Sequence, residues 1–421
     1  MRVAVIGAGI VGVTTAHELA ADGHAVRVFE RRAAVAAEAS FANAGVLAPG
    51  YVTPWAAPGM PGKVLGQLLG RHAAVRFGGW SSLACLPWIW RWWRACSPAV
   101  YRRNRSAMQA LAQYSRQRMD DLTARLQLDY EQAQGYLVLL RGQRDVAKAQ
   151  PGLALLRELG VNHQLVDATR AHAIEPGLNR ETPLAGAIHL PSDGVGNCRQ
   201  FAHLLRQEAQ RLGAAFHFEH DVSRVEPGQQ PRVDWQTGGA PHSEAFDAVV
   251  VCAGVEANAV LAGVGVKLPL TAVHGYSITA PLRAVEAASV GPRAALMDER
   301  YKVAVSRLGR RVRVAGSAEI GGRLDVMNRS AVATLYKVLD DWFPGAAQLR
   351  DVQAWKGARP MLPDGPPVLG ASGAPGVWLN LGHGSSGWAL SCGSARVLAD
   401  LLAQRQAAID LSALGLDRLR R

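Results

Sequence analysis

Apolar and polar positions along this 421-residue chain switch between two periods, and their order predicts its elements. Residues 3–6, Val3-Ala4-Val5-Ile6, form an uninterrupted apolar run, the pattern of a strand buried on both faces. The run enters Gly7-Ala8-Gly9-Ile10-Val11-Gly12, then a helix pattern, then a second strand over 25–29 that ends at Glu30. Leu111, Tyr114, Met119, Leu122 and Leu126 recur at helical spacing and predict a helix over 108–128. A strand at 136–140, a helix near 146–159 and a glycine-rich stretch at 186–197 follow. A helix over 201–212 leads into strands at 214–218, 222–225, 232–235 and 248–253, an order that returns the chain to its first sheet. From 266 to 314 strand patterns dominate, clearest at 276–279, 301–305 and 311–315, and predict a second, mostly antiparallel sheet. Finally a strand at 376–381 meets Gly382-His383-Gly384-Ser385-Ser386-Gly387 and a long helix to Leu402, so the opening theme recurs at the far end.

The opening pattern is that of a dinucleotide site. Gly7 permits a tight turn off the strand, Gly9 lets backbone approach a pyrophosphate, and Gly12 lets the helix pack closely on the sheet. Free N–H groups at the helix start then face the phosphates, where the helix dipole favours negative charge. Glu30, with Arg31 beside it, stands where an acidic side chain accepts hydrogen bonds from ribose hydroxyls. Two glycine-rich strand-to-helix turns at opposite ends of one chain predict a single large cofactor contacted from both sides.

Length implies two intimately joined domains, and 49% hydrophobic with 19% charged residues describes a globular chain. The net charge of +12 comes from 40 Arg and 6 Lys spread along the whole sequence, without the concentrated basic element of a nucleic-acid binder. It does favour anionic lipid or acidic small substrates. Cys85, Cys96, Cys198, Cys252 and Cys392 are odd in number and contain no CxxC pair, which argues against a disulfide framework or zinc site. With Met1 leading directly into the first strand, a cytoplasmic location is expected, on the inner face of the cell membrane if the chain associates with one.

Residues 40–70 show almost no periodicity and read as a long ordered loop, a feature usually tied to function. Residues 80–96 gather Leu83, Leu86, Trp88, Ile89, Trp90, Trp92 and Trp93 around Arg91 and Arg94. Two readings stand: an element at a membrane interface, or a core or subunit-contact helix interrupted at Pro87.

Several separated motifs give the sequence a family likeness. Ser40-Phe41-Ala42-Asn43-Ala44-Gly45, Pro49-Gly50-Tyr51, Pro54-Trp55-Ala56-Ala57-Pro58-Gly59, Ala318-Glu319-Ile320, Arg359-Pro360-Met361, Pro363-Asp364-Gly365 and Leu379-Asn380-Leu381-Gly382-His383-Gly384 with Gly387-Trp388 span nearly the whole chain. Together with the opening glycines they resemble flavoproteins of the D-amino acid oxidase and glycine oxidase superfamily, and within it bacterial D-amino acid dehydrogenases of the small-subunit type. Ser385-Ser386, where relatives often carry Thr, and His274, where Lys is expected, depart from the pattern and leave substrate choice open.

The resemblance implies an α/β and α+β fold: a Rossmann-like FAD-binding domain (1–50, 190–262 and 352–421) and a mostly antiparallel substrate domain (51–189 and 263–351). It implies non-covalent FAD touching Ser40, Asn43, Ala44, Gly45, Val222, Ala253 and Gly254 beside the two glycine turns. By the same resemblance Arg359 holds the substrate carboxylate through a two-pronged guanidinium, with Tyr276 as a second donor or else a core tyrosine. Tyr51 and Tyr301 are weaker candidates for lining the pocket, and His383 is either a base or an element of shape. The implied reaction is oxidation of a D-amino acid by hydride transfer from Cα to flavin N5, giving a 2-oxo acid and ammonia, with a quinone or respiratory-chain acceptor. A peroxide-forming oxidase, a D-proline or hydroxyproline dehydrogenase, and a non-catalytic FAD-binding subunit remain alternatives.

Overall fold

A computed structural model describes residues 1–67, 70, 72–283 and 290–420; positions 68 and 69 of the expected loop lie outside the described residues. Two sheets organise the chain. The first has six strands in the order Val368–Ala371, Val377–Leu381, Ala248–Val251, Arg2–Ile6, Ala25–Glu30 and Ala215–Phe218, parallel except for the first-named edge. Its apolar runs are covered on both faces, which is why they do not alternate. Helices Ile10–Ala21, Cys198–Arg211 and Gly387–Leu402 close one face around Val5, Leu19, Phe201 and Leu398. A three-stranded antiparallel sheet, residues 221–245, places Val225 and Val233 against the other.

The second sheet has ten strands. Its main path runs Gln353–Met361, Thr271–Pro281, Arg311–Ile320, Val303–Leu308, Ala295–Asp298, Ala133–Leu140, Gly186–Val195 and Val46–Leu47. It is mostly antiparallel, with parallel pairings of 133–140 with 295–298 and of 75–77 with 311–320. Helix Arg329–Trp342 packs Ala331, Leu335, Val338, Leu339 and Trp342 on one face, leaving the other face free to floor a cavity.

Several local expectations need correction. The glycine-rich 186–197 stretch, left without an element by the sequence, holds strand Gly186–Val195, and its glycines permit close approach: a Cβ on Gly194 would stand 2.4 Å from the Ala133 carbonyl oxygen. The 108–128 helix begins nearly three turns earlier, at Pro98, and ends at Leu126. Pro87 does not interrupt its helix but opens it, in the first turn of Leu86–Ala95, where a missing N–H costs nothing. The 40–70 loop contains strand Val46–Leu47 and helix Met60–Gln67. Helix Arg329–Trp342 escaped the sequence reading although its apolar positions keep helical spacing. Among the described residues no helix is long and apolar enough to cross a membrane.

Candidate active site

The first glycine turn is shaped by backbone contacts that no side chain would survive. Gly7 has φ +100°, and a Cβ there would lie 2.8 Å from the Cys252 carbonyl oxygen. At Gly12 a Cβ would fall 1.9 Å from the Gly7 carbonyl, so this glycine serves helix packing and does not itself line the cavity. The Ile10 N–H donates to Ser40 Oγ at 3.0 Å, tying the 40–45 loop to the helix start. The Glu30 carboxylate accepts the Ala8 N–H at 2.7 Å and the Arg32 N–H at 2.8 Å, leaving lone pairs on both oxygens. Burial pushes its pKa above the usual carboxylate value. Arg31 turns away to Glu38 at 2.6 Å and Glu256 at 3.4 Å.

The second turn follows strand Val377–Leu381. Gly382 at φ +78° and Gly384 at φ +57° bend it over Leu362 and Met361, and an isolated bridge joins His383 to Met361. That bridge places the turn beside the strand bearing Arg359. His383 is buried, with Nε2 3.0 Å from Ser394 Oγ, and burial pushes its pKa down to about 3. A neutral imidazole of that kind is too weak a base to collect protons near neutrality, so its part is shape and hydrogen bonding.

A single cavity of about 1140 Å³ runs between the two turns. It exceeds the roughly 300–1,000 Å³ typical of one small ligand. Gly7, Gly9, Ile10, Val11, Glu30, Arg31, Ser40, Asn43, Ala44, Gly45, Val222, Ala253, Gly254 and all six residues 382–387 line it. The 42–45 segment is fastened from the ten-stranded sheet: Ser277 Oγ donates to the Ala42 carbonyl at 2.7 Å, Ser306 Oγ to Ala44 at 2.8 Å, and Arg313 to Asn43 at 3.1 Å. Asn43 Oδ1 itself accepts the Gly45 N–H at 3.0 Å. Neither cofactor-facing helix carries an acidic residue in its first turn. Glycine cradles, bare helix starts and a buried carboxylate fit a dinucleotide with a ring system bound between the turns.

Toward the second sheet the cavity floor is made of small residues, among them Gly275, Ala304, Ala315, Gly316 and Gly357. Strand Thr271–Pro281 slips register at Gly275, and the Arg359 guanidinium lies across that gap: a Cβ on Gly275 would be 2.3 Å from Arg359 Nη2. Arg359 donates to the Ser317 carbonyl at 3.0 Å, and no carboxylate of the described residues pairs with it. Desolvation lowers its pKa to about 10, which still leaves it charged near neutrality.

Tyr276 lines the same floor but its hydroxyl donates to Glu319, which also pairs with Lys356 at 2.8 Å. Burial and the Glu319 carboxylate push the phenol up. Burial pushes the Glu319 carboxyl up in turn, and Lys356 and Tyr276 more than reverse that, holding it below its usual value. Of the two readings of Tyr276, carboxylate donor or core tyrosine, this hydrogen bond favours the second, because the proton goes to Glu319. Tyr301 needs correction, since it lies away from the cavity, with Arg141 5.0 Å above its ring and Lys337 5.5 Å away. Tyr51 does line the cavity, donating to Glu299 at 2.7 Å and accepting from Lys302 at 3.0 Å. The sequence reading missed Glu299, Lys302, Lys63 and Lys148 on this wall, because nothing in their local pattern separates them from surface charges.

Residues 2–401 match the model of a family described as FAD dependent oxidoreductase. The chain belongs to that family. This flavin oxidoreductase is 41% identical over 422 residues to a D-amino acid dehydrogenase of Cereibacter sphaeroides, covering 99% of this chain and 95% of that one. It is 40% identical to a D-amino acid dehydrogenase of Bradyrhizobium diazoefficiens, covering 99% of each. Its fold is that of glycine oxidase from Geobacillus kaustophilus, at TM-score 0.76 and 22% identity over 99% of this chain and 98% of that one. L-Proline dehydrogenase from P. horikoshii aligns at TM-score 0.73 and 17% identity, covering 100% and 98%. The cofactor is FAD, and the flavin enzyme's two glycine turns are the residues that would hold it.

Proposed function

We propose that this enzyme oxidises the Cα–N bond of a D-amino acid and passes the electrons to a membrane quinone or another respiratory acceptor. The observation that carries this reading is Arg359: a guanidinium without a carboxylate partner among the described residues, laid over a glycine gap in the cavity floor. A buried cation with one neutral acceptor calls for an anion, and a planar two-donor fork suits a carboxylate. The small floor residues leave room for Cα and its substituents above the sheet. Bound FAD supplies a two-electron acceptor for hydride. Arg359 orients the carboxylate against the cavity floor. Loss of hydride from Cα with loss of a proton from nitrogen leaves a C=N bond; water adds to the carbon and ammonia leaves, giving the 2-oxo acid. With His383 neutral and Tyr276 committed to Glu319, the substrate would arrive as the free-base amine.

Leu83, Leu86, Trp90 and Trp93 are each more than half exposed around helix Leu86–Ala95, with exposed Arg91 and Arg94 on the same element. The opposite side of that helix packs Trp88, Ile89 and Trp92 against the sheet near Trp55 and Val75 of the cavity wall. This arrangement supports docking on an anionic bilayer close to the cavity.

Anaerobic addition of D- and L-amino acids to the purified holoenzyme tests the reaction. Bleaching of the flavin band by D-amino acids is expected, and no bleaching by any amino acid would sink the reading. Oxygen uptake without an added acceptor would replace the dehydrogenase with an oxidase. Co-sedimentation with anionic vesicles, lost in Trp90→Glu/Trp93→Glu, tests the docking face.

A further inference from the structure

Three of the chain's six lysines, Lys63, Lys148 and Lys302, line one wall of the cavity, although the chain has 40 arginines to place elsewhere. They come from three separate elements: helix Met60–Gln67, helix Gln143–Glu158 and the turn before strand Val303–Leu308. Lys302 closes a ring with Glu299 and Tyr51, each of the three bonded to the other two. Lys63 and Lys148 are solvent-exposed where they line the cavity and have no ion-pair partner among the described residues. The remaining local carboxylate, Asp145, is held by the Gly142 N–H at 3.2 Å and by Arg300 at 3.1 Å. Three ammonium groups and one carboxylate, Glu299, therefore line this wall. Partial desolvation lowers the pKa of Lys63 and the neighbouring Lys302 ammonium adds to it, so an anion bound here would favour the charged form.

The sheet sets the span between this wall and Arg359. The Arg359 strand pairs with 271–281, which pairs with 311–320, which pairs with 303–308. Arg359 crosses the first of these to reach the Ser317 carbonyl on the second. Beside Ser317, a Cβ on Gly316 would lie 2.9 Å from the Lys302 carbonyl. The two cationic groups are thus separated by roughly one strand spacing, ~5 Å, plus the length of a lysine stem, a gap that a short diacid bridges with a hydrogen bond at each end. From this juxtaposition we infer that the lysine wall is the side-chain subsite and selects amino acids whose side chain ends in a carboxylate. This rests on Arg359 holding the α-carboxylate, as in the function proposed above.

The test reads binding rather than turnover. Glutarate and its monoamide, glutaramate, are titrated into the holoenzyme while perturbation of the flavin absorption is followed. Glutarate binds at least about fivefold tighter, the sum of two partly exposed ion pairs. That advantage shrinks toward one in Lys63→Met/Lys148→Met, survives in Lys63→Arg/Lys148→Arg, and falls as salt screens it. Glutaramate binding as tightly as glutarate, an advantage that persists in the Met variant, or binding of neither acid overturns the inference. Failure of the amino acid reading shows separately, as a flavin that no D-amino acid bleaches.

Discussion

Replacing Arg359 by methionine keeps the stem and removes the fork. In the proposed complex the guanidinium gives a carboxylate two charge-assisted hydrogen bonds, each worth about 1.5–3 kcal/mol in a desolvated site. Losing both costs about 3–5 kcal/mol, so kcat/KM for the best D-amino acid falls about 10²–10³·⁵-fold. Lysine retains the charge as a point and loses the fork, and a fall of about 10–100-fold is expected. Because the anchor grips the carboxylate before and during reaction, most of the loss appears in KM, with a smaller part in kcat from misorientation. Stability should move little. Among the described residues the fork's one acceptor is the Ser317 carbonyl, and removing a cation with no carboxylate partner there relieves a desolvation cost. The assay is single-turnover flavin reduction across a substrate range, with thermal unfolding and flavin content measured on the same samples. A kcat/KM within about threefold of the parent, or loss of FAD and fold in the Met variant, would refute the anchoring argument.

Tyr276→Phe should raise KM by less than about threefold while lowering stability by about 1–2 kcal/mol, because its hydroxyl serves Glu319 rather than the cavity; steady-state kinetics and denaturant unfolding separate the two. His383 stays neutral when folded, its pKa depressed to about 3, whereas the unfolded chain takes up a proton below about 6.5. Its stabilising contribution is therefore complete above that pH and is lost at up to about 1.4 kcal/mol per unit as pH falls toward 3, a slope that His383→Asn should flatten in pH-dependent unfolding. Gly12→Ala should cost more than about 3 kcal/mol, since its methyl would overlap the Gly7 carbonyl; failure to recover folded, yellow protein is the expected result.

Much of this architecture was legible because one physical signal dominated each legible part. Val3 to Ile6, Val249 to Val251 and Val377 to Leu379 read as strands since burial on both faces forces continuous apolar runs. The glycine turns were legible because a backbone collision, as at Gly12, admits one residue type. Arg359 was singled out by its motif, and its missing carboxylate partner is visible only in three dimensions. Tyr276 and Tyr301 show the limit: which way a phenol points depends on Glu319 and Arg141, brought from distant strands. The lysine wall was illegible for the same reason, its members lying on three elements far apart in the chain.

The join between the chain's two ends bears on how the protein is made. Thr14 donates to the Ser391 carbonyl, 377 positions away, and Asn380 donates to Thr15 across 365. Arg396 closes the same seam on Glu18 at 2.9 Å and Asp22 at 2.6 Å. A nascent chain on the ribosome thus exposes its first strand and glycine turn long before residues 377–402 emerge to complete them. Until then the hydrophobic face of Ile10–Ala21 has only part of its packing, from the first strands and helix Cys198–Arg211, and a sequence with such distant pairings folds slowly and is prone to aggregate. A complete flavin site therefore waits for the second glycine turn, and FAD, by binding the folded chain and not the unfolded one, draws the equilibrium toward the native state.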